Sequence, residues 1–444
     1  MSWKKVKLKQ ILKQYRIEHL VQNDIEYKQV TISKYDGVTF RGTKMGKEIG
    51  RKRQFQIDLK KYPNTLMFVR QGVQDGSIGI APLEVDGCIA TENMPMFSVE
   101  GINLEYLKFL LKSPYFYDEL NKIQTTGSAQ KSIHEREILE IEIPFPDIDE
   151  QEEIVKELSS KKDNSIEIST ELTHQLTLVK KLRQQLLQDA VQGKLVEPNP
   201  KDEPASELLK KIKAEKEKLI SEKKLKKEKE IPPIKPEEIP FDIPENWVWC
   251  RLGEICTKIT DGFHNTPPKV SKGIPYIAAT QVKSDKIDWD NCNYVDEKYH
   301  RELYIKAYPQ KGEILVVNIG AGCGTPAIID VDFEFSFKNT AILKFNQSLI
   351  LNKLLFYYFL LRKDEIYAEL TKGGLQPFLS LKILSEIDFP LPPIAEQNRI
   401  VQKLDELMQY CNELEASIKQ SELQKEKLLQ QVLREALRKE PVEV

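Results

Sequence analysis

Hydrophobic and polar positions follow two different rhythms along this chain. Short runs rich in β-branched and aromatic residues, Leu66 to Arg70, Glu313 to Asn318 and Thr340 to Phe345, are punctuated by Gly-, Asn- and Pro-marked turns. That pattern predicts strands joined by loops. Longer polar stretches then take over, in which apolar residues return at helical spacing. One carries Leu158, Ile168, Leu172, Val179, Leu182 and Leu186; the other carries Leu404, Leu407, Cys411, Leu414 and Ile418, then Leu428 and Val432. With Ser421 and Lys425 admitted as polar seam positions, the second stretch steps by alternating threes and fours, a coiled-coil period. Helices of roughly 40 residues reach about 60 Å, so these are spacers and not core helices.

The rhythms recur in order because the chain is one unit written twice. Residues 144–158 (PFPDIDEQEEIVKEL) match residues 390–404 (PLPPIAEQNRIVQKL) without a gap. In that register Gly127 falls on Gly373, Gln130 on Gln376, Asn93 on Asn339, and Tyr62-Pro63 on Tyr308-Pro309. Near the start Trp3, Leu8 and Ile11 fall on Trp247, Leu252 and Ile255 after a small register shift. Each unit predicts an α+β globular domain that closes at a proline-rich strand exit, Pro144-Phe145-Pro146 or Pro390 to Pro393. A long helix then opens at Glu-Gln; proline is tolerated at a first turn, where its missing N–H would be unsatisfied anyway. Leu186-Leu187-Gln188 answers Leu428-Leu429-Gln430, which makes the first helix longer by about four residues, a stutter.

These signals divide the chain into a first globular domain (1–149), a first spacer helix (150–196), a charged helix and proline-rich linker (197–240), a second globular domain (241–394) and a second spacer helix (395–444). Within the linker, Glu207 to Glu230 is rich in Lys and Glu and reads most simply as a solvated helical face.

Composition narrows the function. A chain of 444 residues with 40% hydrophobic content can hold two or three cores, and 30% charged residues suit long solvated helices. The formal net charge of −2 leaves no overall basic footprint, so a case for nucleic acid must rest on local pattern. The cysteines Cys88, Cys250, Cys256, Cys292, Cys323 and Cys411 form no C-x-x-C pair, and no histidine stands at zinc spacing. They read as thiols of a reducing compartment, with neither disulfide framework nor metal. Met1 to Gln10 lacks a signal peptide's apolar core, and the longest apolar run, Leu354 to Leu361, is too short to span a bilayer. A cytoplasmic protein without a membrane partner is expected.

Catalytic motifs are weak. Gly42 to Lys47 superficially resembles a phosphate loop but has the wrong glycine spacing and Glu48 in place of Ser/Thr. Gly320 to Gly324 follows a strand, yet Pro326 comes where a dinucleotide fold would open a helix, so a tight turn is expected. The histidines His19, His134, His174, His264 and His300 form no H-E-x-x-H pattern, and there is neither a G-x-S-x-G elbow nor an N-P-P-Y type motif for amino-group methylation. No catalytic residue, cofactor or metal is assigned.

Two local patterns suit DNA. Between Arg41 and Lys61 the first domain gathers Arg41, Lys44, Lys47, Arg51, Lys52, Arg53, Lys60 and Lys61 against only Glu48 and Asp58. Such a cluster either neutralises phosphates, with arginines available for guanine edges, or forms a solvated loop. In the second domain Thr260, Asp261, His264, Asn265, Thr266 and Lys269 crowd a Gly/Pro-marked loop and Gln281 follows a strand. These side chains suit base edges, and turn chemistry explains them equally well. Arg70, and Gln130 and Lys131 with the repeat counterpart Gln376, complete the DNA-binding candidates. Leu158, Leu172, Val179, Leu186, Leu404, Leu414, Ile418 and Leu428 are the helix-partner positions.

This arrangement resembles the specificity subunit of type I restriction-modification systems. The carriers are the P-x-P-x-x-E-Q helix starts at Pro144 to Gln151 and Pro390 to Gln397, the segment Leu186 to Leu195 (LLQDAVQGKL), and Pro-x-Asn-Trp-x-Trp at Pro244 to Trp249. The stretch Ile259 to Pro275 and the Gly-x-x-Gln loops, Gly127 to Gln130 and Gly373 to Gln376, add to it. The resemblance implies two target-recognition domains, each reading half of a bipartite double-stranded DNA site, held apart by two helices packed as an antiparallel coiled coil. It also implies docking of two methyltransferase subunits, which bring S-adenosylmethionine, and of restriction subunits. The first domain departs from the pattern with a lysine-rich opening, Lys4, Lys5, Lys7 and Lys9. Two other classes stand against this reading: a scaffold that recruits partners without reading DNA, and a degenerate methyltransferase that would bind S-adenosylmethionine itself.

Overall fold

The structure, a computed structural model, describes residues 3–123, 132–227, 230–263, 266–284, 286–372 and 377–437. It divides into two compact units, Met1–Gln175 with Ser417–Val444, and Leu176–Ala416.

The globular part of the first unit runs β1 (Lys5–Lys7), β2 (Leu12–Tyr15), β3 (Glu18–Leu20), β4 (Glu26–Ser33), β5 (Gly37–Met45), β6 (Arg53–Gln56), β7 (Thr65–Phe68), β8 (Ile78–Ile80), β9 (Ile89–Ala90), β10 (Met96–Val99), α1 (Leu104–Leu111), α2 (Pro114–Asn121), α3 (Glu135–Leu139) and β11 (Glu142–Pro144). Three sheets result, ordered β1-β11, β2-β10-β7-β8 and β3-β6-β9-β4-β5. Strand β7 of the second sheet is buried on both faces, which is why it reads as an apolar run and not as an alternation. Successive side chains on a strand point to opposite faces. Leu66, Phe68 and Phe97 therefore pack with Tyr106, Leu110 and Phe116 of the helices. Met67 and Met96 instead pack with Val30 and Phe55 of the five-stranded sheet.

The second unit repeats this plan. After a preceding helix, α5 (Ala205–Ser221), come β12 (Val248–Arg251), α6 (Leu252–Ile255), β13 (Lys258–Asp261), β14 (Ile274–Ala278), β15 (Asn293–Val295), α7 (Glu297–Ala307), β16 (Ile314–Val317), β17 (Pro326–Ile328), β18 (Ser336–Lys338), β19 (Thr340–Lys344), α8 (Asn352–Glu365), α9 (Leu381–Glu386) and β20 (Asp388–Leu391). The sheets β12-β20 and β13-β19-β16-β17 correspond to β1-β11 and β2-β10-β7-β8. Only the third differs: three strands, β15-β14-β18, with a parallel β14–β18 pair, in place of five. Gly42 to Met45 lie within β5, and Gly320 to Gly324 form a turn ahead of β17, so neither glycine motif is a nucleotide loop.

Each globular part leads into a long helix, α4 (Ile148–Val191) and α10 (Ile394–Ala436). The joint is the same in both. Gln151 is buried, accepts from Asn103 N (2.8 Å) and donates to Pro146 O (2.9 Å). Gln397 is buried, accepts from Leu351 N (3.0 Å) and donates to Pro392 O (3.1 Å). The helices pair antiparallel within each unit. In the first, Lys425 bonds the Ser169 hydroxyl while Leu437 reaches the core beside Ile154. In the second, Arg183 bonds Asn412 (2.7 Å) and Glu415 (2.9 Å) while Leu187 and Leu404 share a core.

The seam is narrower than the periodicity suggests. Leu158, Leu172 and Val179 are buried, as are Leu404, Cys411 and Ile418, so one position per heptad faces the partner helix. Leu414 is 49% exposed, and Leu428, 62% exposed, lines a groove beside the seam together with Ile168 of the other helix. Leu186 is half-buried, and its neighbour Leu187 takes the inward place.

The lysine-rich linker is also more engaged than expected. Its helix, α5, buries Ala205, Leu208 and Ile212. Lys213 pairs with Glu254 (2.7 Å), and Lys216 Nζ donates to the carbonyls of Gly253 (2.7 Å) and Cys256 (3.0 Å) at the end of α6. These are carbonyls that a helix C-terminus leaves unsatisfied.

Candidate nucleic-acid interface

In the first domain the basic cluster falls on the outer part of the five-stranded sheet and splits by what its members already bind. Lys52 is half-buried and gives its ammonium to Gly46 O (2.6 Å). Arg53 is tied to Glu18, whose hydrogen bond pushes the guanidinium pKa up from its ordinary value. Arg41, Lys44, Lys47 and Arg51 are exposed, and among the described residues none makes an ion pair.

Three of those four converge on one concavity of about 210 Å³, lined by Gln29, Arg41, Lys44, Arg51, Gln54 and Thr91 and by one acidic residue, Glu48, which accepts from Met45 N (3.2 Å). Two local features build it. The strand β9 holds only Ile89 and Ala90 between the longer β6 and β4. In the β4–β5 ladder Gln29 faces Gly42 and Val30 faces Phe40, which leaves Arg41 as the extra residue of a β-bulge. A bulge bends its strand and re-aims the side chain it carries. Gly42, at φ +124°, supplies the backbone freedom beside it. Gln54 is only 4% exposed. Its Nε2 donates to Arg51 O (2.7 Å), and among the described residues its Oε1 accepts no hydrogen bond. The composition-based reading missed Gln54 altogether.

Arg70 is not a free cation. Its guanidinium grips Glu135 twice, at 3.1 and 2.5 Å, and Arg16 approaches the same carboxylate at 3.3 Å. Partial burial is the largest single influence and works against the charged carboxylate, but the Arg70 hydrogen bond and charge, a backbone N–H and Gln14 together outweigh it and hold Glu135 below its ordinary pKa. Asn318 occupies the equivalent place in the second domain: Arg70 N bonds Asn93 O as Asn318 N bonds Asn339 O. Ile133 N and Leu379 N return to the two carbonyls. The carboxamide Oδ1 of Asn318 is buried without a hydrogen-bond partner.

The candidates of the second domain are mostly occupied by the fold. Thr260 is buried on β13. Asp261 pairs with Lys306 (2.6 Å), and Thr266 accepts from Lys338. Gln281 closes its own turn, accepting from Ala278 N (3.0 Å) and donating to Asn291 O (3.2 Å). Lys269 is exposed. Gln130, Lys131, His264, Asn265 and Gln376 lie outside the described residues. Among those described, no group of His, Cys, Asp and Glu is arranged to hold a metal, and no helix is long and apolar enough to cross a membrane.

Comparison with known proteins agrees with the twofold plan. The family model described as the type I restriction modification DNA specificity domain matches twice, over residues 2–178 and 244–424. The type I restriction enzyme EcoAI specificity subunit of Escherichia coli is 30% identical over 370 residues, 72% of this chain and 62% of that protein. The EcoEI specificity subunit of the same organism is 26% identical over 417 residues, 81% of this chain and 68% of that one. Among solved structures, a chain from work on complex assembly and conformational transition of the type I R-M system superposes with a TM-score of 0.66 at 18% identity, covering 99% of this chain and 98% of its own. The HsdS subunit from Thermoanaerobacter tengcongensis gives 0.50 at 19% identity, with 99% and 97% covered. The chain thus belongs to the type I restriction-modification DNA specificity family, and carries that family's domain twice.

Proposed function

We propose that this chain is the sequence-reading subunit of a type I restriction-modification complex. It reads an asymmetric bipartite site on double-stranded DNA and recruits two methyltransferase subunits and, where present, restriction subunits. The observation that carries this reading is the duplicated specificity domain: the same two sheets and the same helix joint occur twice, while the third sheet differs. Two like frames with unlike heads suit a target of two unlike halves.

Of the candidate cations among the described residues, Arg41, Lys44, Lys47 and Arg51 in the first head and Lys269 in the second remain without an ion pair and are available to phosphates, which position the protein but carry no sequence information. Large apolar residues stand exposed on the helices of each unit, Ile166, Ile168, Leu423 and Leu428 in the first, Leu178, Leu182, Tyr410 and Leu414 in the second. Exposed apolar rows of this kind mark association surfaces, and one per unit suits one methyltransferase per unit. Methyl transfer and its S-adenosylmethionine belong to those partners, which extrude the target base; this chain contributes recognition and no catalytic group.

The test is selection of bound duplexes from a random pool by the chain assembled with its methyltransferase. Two unequal motifs at a fixed separation are expected. Salt-sensitive binding without enriched sequence would leave only a scaffold, and binding of S-adenosylmethionine by the isolated chain would point to a degenerate methyltransferase.

A further inference from the structure

We infer that the concavity around Gln54 is a base-reading pocket of the first recognition domain, in which the Gln54 carboxamide takes the major-groove edge of an adenine while Arg41 and Arg51 hold the adjoining phosphates. The inference rests on the DNA-reading function proposed above and names the place where it is exercised.

The geometry separates this pocket from a generic basic surface. Phosphates can be met by exposed cations alone, and Lys47, outside the concavity, is of that kind. Gln54 carries no charge and is almost fully enclosed, which is a costly place for an amide unless its groups are used. The bond from Nε2 to Arg51 O fixes which end of the amide is nitrogen. It leaves Oε1 as an acceptor and one N–H as a donor. Adenine offers the complementary pair, the N6 amino group and N7, and glutamine reads adenine in this bidentate way. Gln29 and Thr91 add further uncharged polar groups to the lining, and among the described residues neither side chain is hydrogen-bonded elsewhere. Gln54 also holds the backbone of Arg51, so the reading group and one phosphate-gripping residue are set by a single contact. The bulge at Arg41 brings a second guanidinium to the rim from the opposite side of β9.

The experiment repeats the duplex selection with Gln54→Leu and Arg41→Ala chains, each assembled with the methyltransferase. The expected result for Gln54→Leu is loss of preference at one adenine of the first half-site, by about five- to a hundredfold, with the second half-site and the spacing unchanged. Arg41→Ala should weaken binding to all sequences alike and reduce the salt slope by about one. Gln54→Leu binding that falls uniformly, or that keeps every base preference, overturns the pocket while leaving the DNA-reading function standing. A wild-type complex that enriches no bipartite sequence overturns both. Where Gln54→Leu fails to assemble, Gln29→Leu and Thr91→Val decide: relaxed preference within the first half-site supports the pocket, and unchanged preference overturns it.

Discussion

The two repeats close the same surface in different ways. Beside β1 the first repeat is bare, and charges settle on one another: Lys7 and Lys9 both bind Glu140 at 2.7 Å, the Lys7 hydrogen bond first and then that of Lys9 holding its carboxyl down to about 2. In the second repeat Arg251 stands where Lys7 does, Gly253 where Lys9 does, and Glu386 where Glu140 does. There polypeptide lies over the surface. Arg251 donates to Glu386 O (2.6 Å) and to Glu238 (2.7 Å), and Lys216 reaches Gly253 O from α5. A Cβ on Gly253 would come within 2.3 Å of the Ile231 side chain and 3.0 Å of Ser385. The difference teaches that a residue change between repeats, lysine to glycine, records what covers the fold and not what folds it.

Exchanging residues between the repeats tests this. The largest effects belong to positions the repeats share: Leu158→Ala and Leu404→Ala, both at buried seam positions, should each cost about 2–5 kcal/mol. Calorimetry on the two chains should show losses of similar size, and a marked inequality would mean the repeats do not bear on their helices alike. Next is Gly253→Lys, the first repeat's residue placed in the second, with an expected cost of about 1–3 kcal/mol from overpacking. Lys9→Gly should stay within about 0.5 kcal/mol. Faster hydrogen exchange confined to residues 205–240 in the Gly253→Lys chain is the accompanying sign.

Arg70→Asn, the converse exchange, leaves the Glu135 carboxylate with only the longer contacts from Arg16 and Gln14 and should cost about 1–3 kcal/mol. Adding Glu135→Leu, the residue of the second repeat at that place, should recover most of it in a double-mutant cycle. The same pair gives a pH signature. Because Glu135 titrates lower when folded than when unfolded, its contribution is present at neutral pH. It is lost as pH falls through the ordinary carboxylate range and below. Acid titration of the Arg70→Asn, Glu135→Leu chain should therefore show a shallower loss of stability than wild type. Smallest of all, Leu414→Ser and Leu428→Ser should change the chain's own stability by less than about 0.5 kcal/mol. They should weaken capture of the methyltransferase; unchanged capture would remove these rows from the docking surface.

What could be read in the sequence follows how local each determinant is. The repeat and both helix starts were legible because Gln151 and Gln397 work within a few residues of their prolines. The bulge at Arg41 had a signal in Gly42, an isolated glycine within a strand pattern. Gln54 had none, since its enclosure depends on Ile89, Ala90 and Thr91, which the fold brings beside it from a distant part of the chain. The same distance effect misled the count of available cations: Arg53 is taken by Glu18 and Arg70 by Glu135. Leu414 fits a heptad as well as Leu404 does, and only the folded structure shows that one is half exposed and the other buried.

The joint at Gln151 and Gln397 touches its globular domain through main-chain atoms: an amide N–H ahead of α1 or α8, and a proline carbonyl. Those hydrogen bonds make no demand on the side chains of the head; the apolar packing of Ile154 in the first unit, and of Ile400 and Leu404 in the second, does. A head can therefore vary wherever it does not touch the shaft, so long as its backbone presents one amide at that place and its apolar residues still fit the helix.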